Sequence, residues 1–215
     1  TATAAEDSYI AADAWDADTD QVMNLNADSS ALTYSPTVTY TINANNLDTL
    51  NLGGITPINV SLDAADISSE TVTNTNTAGA FLTLNQISSD SDMTKVDPSI
   101  IIRINDMGYG RILKVAEGQN YALSVDSYYN GPLTFNHKTD AMASGSNSMT
   151  LSVYNDNPYA WNVTARNNGS LHFNDINHLT IALDDLSFSS YGNLTGSDLE
   201  TITIKSGKSL LSLPR

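Results

Sequence analysis

The sequence predicts an all-β protein, an antiparallel β-sandwich of jelly-roll or Ig-like type with many short strands. Three observations predict it. Apolar and polar residues alternate with a period of two in run after run, as a strand with one buried and one wet face requires. Gly, Pro and Asn clusters separate the runs, about 8–12 residues apart through much of the C-terminal half. No stretch carries a convincing helical stripe. Polarity comes from Ser, Thr, Asn and Asp, which are poor in helix interiors, while Asp, Glu, Lys and Arg make up only 15%.

The elements follow in order. Residues 1–30 read as an N-terminal arm ahead of a sandwich domain at 31–215. In "TVTYTIN", Val38, Tyr40 and Ile42 share one face and Thr37, Thr39 and Thr41 the other. "PINVSL" groups Ile58, Val60 and Leu62, and "SLDAADISSE" has room for one helical turn. "AFLTL" and "SIIIRI" are more continuously apolar, the mark of central strands. Between them "NQISSDSDMTKVDPS" reads as a long loop, or as the boundary of a second β-domain near residue 95. "SMTLSVYN", "YAWNVTA", "HLTIAL" and "ETITIK" restore the alternation, with Trp161 on an apolar face. Turn signals include Gly53-Gly54, Glu117-Gly118 and Asn130-Gly131-Pro132. No internal repeat stands out.

Charge excludes some functions. Nine Lys and Arg against 24 Asp and Glu give a formal net charge of -15. Nucleic-acid binding needs cations to neutralise phosphates, so it is not expected. An anionic membrane surface is disfavoured for the same reason. No apolar run reaches the roughly 18 residues of a membrane span. There is no cysteine, which excludes thiol nucleophiles. The start, "TATAAEDSY", resembles the mature side of a signal-peptide cleavage, and the expected location is extracellular or at the cell surface.

Candidate chemistry centres on "DAWDADTDQVMNLNAD". Asp16, Asp18 and Asp20 match the first ligands of an EF-hand, but Gln21 stands where its Gly belongs and Ala27 where its bidentate Glu belongs. Two readings stay open: a loose calcium site formed by the three aspartates, or the solvated face of an extended segment. The pairs Asp63/Asp66, Asp90/Asp92 and Asp184/Asp185 are weaker sites of the same kind. His137, His172 and His178 are not spaced to gather as zinc ligands. No GxSxG, HExxH, phosphate-loop or dinucleotide fingerprint occurs, so a non-enzyme is expected. Sequons stand at Asn59, Asn162, Asn168 and Asn193; Asn168 and Asn193 fall in expected loops and are the better glycosylation sites.

"SMTLSVYNDNPYAWNVTARNNGSL" runs a strand into an Asn-rich turn, then a Trp in a second alternating strand, then a Gly turn. About 25 residues long, it resembles strand pairs of secreted prokaryotic surface β-sandwiches, the fimbrial and other extracellular filament subunits. The cysteines found in some of those families are absent. The resemblance implies a homopolymer built by strand donation, in which a terminal strand fills a neighbour's groove. The expected donor is the arm, through Tyr9, Ile10, Trp15, Val22 and Leu25. The C-terminal "SLLSLPR", where Leu211 and Leu213 share a face, is a second donor. The expected function is therefore a structural subunit of an extracellular filament, pilus or surface assembly. The alternative is a secreted carbohydrate-binding or adhesive module, with or without a calcium requirement.

Overall fold

The computed structural model describes residues 2–4, 8–11, 22–27, 37–43, 47–63, 71–85, 87, 89–105, 111–124, 133–137, 147–154, 171–183, 194–196 and 198–206. Among them the regular elements are strands. In the first half these are β1 (Ala2–Ala4), β2 (Ser8–Ala11), β3 (Val22–Ala27), β4 (Val38–Asn43), β5 (Thr49–Gly54), β6 (Ile58–Leu62), β7 (Thr71–Asn74), β8 (Ala80–Leu84) and β9 (Ser91–Asp92). The second half adds β10 (Ile101–Ile104), β11 (Arg111–Val115), β12 (Asn120–Ser124), β13 (Leu133–His137), β14 (Ser148–Tyr154), β15 (Leu171–Asn174), β16 (His178–Leu183), β17 (Leu194–Gly196) and β18 (Thr201–Ser206).

The expected antiparallel sandwich is overturned by the pairing, because all three sheets are entirely parallel. The even-numbered strands form one nine-stranded sheet in chain order, from β2 to β18. The odd-numbered strands form a four-stranded sheet, β1-β3-β5-β7, and a five-stranded sheet, β9-β11-β13-β15-β17. The chain therefore alternates between walls and, except at β9, where a new sheet begins, stacks each strand from β3 onward on the one two elements earlier. That is a β-solenoid, a coil whose turns contact mainly their neighbours.

One column shows the winding. Thr39, Asn59, Phe81, Ile101, Asn120, Thr150, Thr180 and Thr203 pair in succession along the nine-stranded sheet, with steps of 19 to 30 residues. At about 4.8 Å per strand, this wall is about 38 Å long.

Alternation misled because it reports burial, not strand direction. A parallel sheet covered by helices on both faces reads as continuous apolar runs. Here each wall has one face inward and one outward, so its strands alternate as in a sandwich. In the adjacent inward column Tyr40, Val60, Leu82, Ile102, Tyr121, Leu151 and Ile181 are all 3% exposed or less. β10 and β8 do sit at and beside the middle of the nine-stranded sheet. Even so, Ile101 of β10 is only half-buried, on the outward side.

The segment expected as a long loop joins the two smaller sheets. Ser91 and Asp92 pair with Leu113 and Lys114, and Val96 bridges to Val72. Ile87, Met93 and Val96 are buried in the core, which is one cluster running from Met23 to Ile181. Further along the axis Phe135 stacks on Phe173 with centroids 5.4 Å apart, and Tyr121 meets Phe135 edge-on at 5.2 Å. Leu199 then occupies the space beside Gly196, the next position of that column.

Candidate functional surface

In a parallel, in-register stack, like positions lie about 4.8 Å apart, so outward polar side chains reach one another along the axis. On the four-stranded sheet Asn51 Nδ2 donates to Asn24 Oδ1 at 2.8 Å, while the Thr73 hydroxyl donates to Asn51 Oδ1. On the nine-stranded sheet the Thr83 hydroxyl donates to Asn59 Oδ1 at 2.7 Å. Ser61 bonds Asn85 at 3.0 Å. The Arg103 guanidinium lies 3.9 Å over the Phe81 ring, again one coil away. The amide and hydroxyl contacts make a polar ladder along the outer faces of these two sheets.

A second polar set turns inward at the corners. Gln119 is fully buried; its Nε2 donates to Met93 O at 2.7 Å and to Val96 O at 2.9 Å. Its Oε1 accepts from Ala116 N and from the Tyr121 hydroxyl, both at 2.9 Å. Asn76 is used in the same way, donating to Gly53 O and Thr56 O and accepting from Ala78 N and Gly79 N. Asn177 Oδ1 accepts from Asn147 N at 3.2 Å, and Asn147 Nδ2 donates to Asp175 O at 2.7 Å. Among the described residues Asn147 Oδ1 has no hydrogen-bond partner. Burial raises the Tyr121 pKa well above its usual value near 10, and the charge of Asp92 adds to the rise.

Of the residues singled out in the sequence, some are among those described. Leu25 of β3 is fully buried in this chain's own core, whereas Val22 is 52% exposed at the strand's start. Tyr9 and Ile10 lie in β2, paired with Thr41 and Ile42. Asp16, Asp18, Asp20, Trp15, Trp161, Asn162, Asn168, Asn193 and "SLLSLPR" after Ser206 lie outside the described residues. So do Asp66, Asp184, Asp185 and residues 64–70 of the segment expected to hold a helical turn, whose Ser61 and Leu62 belong to β6. Asp90 Oδ1 accepts from Ile112 N at 3.0 Å. Asp92 Oδ1 accepts from Thr94 N at 3.0 Å, and its Oδ2 lies 3.9 Å from Lys114 Nζ. Both thus hold local structure.

His172 and Thr195 are hydrogen-bonded at 2.5 Å, and His178 and Thr201 at 2.8 Å, each pair 23 residues apart. These histidines are rungs of the ladder. Among the described residues no group of three or more His, Asp or Glu is placed to hold a metal. No helix there is long and apolar enough to cross a membrane. Asn51, Gln119 and Asn147 were not singled out in the sequence. Their signal is amides and hydroxyls recurring in one column, and uneven coil lengths hide it.

Comparison with protein families, curated proteins and solved structures finds no significant match to this chain.

Proposed function

We propose that the chain is a structural segment of an extracellular filament, pilus or surface assembly, a rod that keeps its two ends apart. The observation that supports this most is the axial ladder. Surface side chains from Asn24 to Thr73 bond their neighbours one coil away. Such bonds stiffen the rod along its axis, and outward hydroxyls and amides suit an exposed position. Self-association by strand addition needs a sheet edge, where main-chain groups supply affinity and alternate side chains supply fit. β1 and β2 are the edge strands at the N-terminal end of their sheets. Light scattering and electron microscopy over a range of concentrations test this. Filaments or end-on oligomers are expected, and a protein strictly monomeric throughout overturns the homopolymer.

A second reading, a carbohydrate-binding or adhesive module, is favoured by the outer face of the nine-stranded sheet. There Asn59, Asn120, Thr150, Thr180 and Thr203 line up amides and hydroxyls beside the Phe81–Arg103 pair. A glycan array checks it. Calcium dependence through Asp16, Asp18 and Asp20 is checked by melting in millimolar calcium against a chelator, since a native-state ligand must raise the midpoint.

A further inference from the structure

The two smaller sheets are joined more thinly than the coils within them. β7 ends one sheet and β9 begins the next. Among the described residues the main chain crosses this break at Val72, whose N donates to Lys95 O at 3.2 Å and whose O accepts from Asp97 N at 2.9 Å. Asn74 Nδ2 adds a side-chain bond to Ser99 Oγ at 2.9 Å. β9 then pairs with β11 at Ser91 and Asp92 alone. Inside a sheet the ladder is longer: β3 pairs with β5 from Val22 to Ala27, and β11 with β13 from Arg111 to Val115. Opposite the break the nine-stranded wall is unbroken, with β8 paired to β6 from Ala80 to Leu84 and to β10 from Phe81 to Leu84.

Local chemistry explains the gap. Asp92 Oδ1 accepts from Thr94 N at 3.0 Å, and Val96 N donates to Met93 O at 3.1 Å. Asp97 Oδ1 accepts from Ser99 N at 2.8 Å, and Ile100 N donates to Asp97 O at 3.0 Å. These turns use backbone groups that a strand would offer its neighbour. Pro98 has no N–H to give a ladder. The core is not interrupted, since Ile87, Met93, Val96 and Ile100 are all buried. From within, Gln119 Nε2 ties Met93 O and Val96 O to the corner before β12. The break is thus in the ladder of one wall, with the other wall and the core continuous.

We propose that this break is a hinge in the rod. Stacked coils are held by their nearest-neighbour interfaces, so force concentrates at the weakest one. The nine-stranded wall is the flexure, and the four- and five-stranded sheets part or close opposite it. Bending is therefore confined to the plane through both walls. Gln119 is the latch that limits the opening, because it holds Met93 and Val96 against the next coil. The hinge goes beyond the structural reading above and does not depend on polymerisation, since a single chain bends in the same way.

Spin-label distance distributions on the two walls test this, in a chain with no cysteine of its own. Thr71→Cys/Thr195→Cys places labels on β7 and β17, five coils apart across the break. Thr39→Cys/Thr150→Cys places them on β4 and β14, five coils apart on the unbroken wall. The distribution across the break should be about twice as broad as that on the unbroken wall, as a hinge requires. Adding Gln119→Leu should broaden the first further and leave the second unchanged. Equal widths on the two walls would overturn the hinge, and this comparison stands without the Gln119 variant. Equal broadening of both pairs by Gln119→Leu would overturn the latch. Neither outcome bears on filament formation, which is read separately by microscopy.

Discussion

Tyr121 donates its phenolic hydrogen to Gln119 Oε1 across 2.9 Å, with both residues fully buried. That amide also ties the segment joining the two smaller sheets, through Met93 O and Val96 O. Gln119→Leu keeps the bulk and removes every one of these partners. Each buried polar group left unpaired costs about 1–3 kcal/mol. A loss of roughly 3 kcal/mol or more in urea unfolding is expected, and a loss below about 1 kcal/mol would mean the amide does not hold the joint.

The same pair sets an alkaline limit. Burial raises the Tyr121 pKa in the folded state, so the unfolded chain gives up this proton first as pH rises. Tyr121 therefore contributes its full stability below about pH 10, the unfolded value, and loses it progressively above. Tyr121→Phe should be less stable at neutral pH and show a shallower decline above pH 10. Parallel melting curves at pH 7 to 11 for the two proteins would contradict this.

Two glycines with positive φ separate backbone strain from crowding. Gly54 has φ of 103°, and a Cβ there would lie 2.3 Å from Ala27 O in the strand beneath. Gly118 has φ of 70°, with nothing within 4 Å of its Cβ position. Gly54→Ala should cost about 3 kcal/mol or more, since backbone must move. Gly118→Ala should cost about 1 kcal/mol, the ordinary penalty for a left-handed residue. Chemical denaturation of both variants checks the order.

Asn51 is the middle rung of the Asn24–Asn51–Thr73 ladder. Asn51→Ala removes both bonds at a half-buried site and should cost about 1–2 kcal/mol. Hydrogen exchange should quicken in β3 and β7 together, because the ladder couples coils on either side. Quickening confined to β5 would show that the rungs act singly.

Much of the wall was legible in the sequence. The alternations at Val38–Tyr40–Ile42, Ile58–Val60–Leu62 and Leu179–Ile181 correspond to β4, β6 and β16, with those residues buried. Strand direction was not legible, since an inward and an outward face give the same pattern in parallel and antiparallel sheets. Winding was hidden for a different reason. Ile101 and Asn120 are stacked 19 residues apart but Asn120 and Thr150 are 30 apart, so no fixed period marks the coils. The ladders depend on that winding: Asn51 and Thr73 look unrelated until the coils place them in one column. The burial of the corner amides Gln119 and Asn147 is hidden for the same reason.

The most direct test of the account is a set of spin-label distances along one outward column. With one label at Thr39→Cys and the second at Thr150→Cys, Thr180→Cys or Thr203→Cys, the pairs are five, six and seven coils apart. At about 4.8 Å per coil the solenoid predicts distances of about 24, 29 and 34 Å, rising by a constant step. Distances that fail to increase in that order would contradict the stacked coil and, with it, the rod on which the proposed function rests.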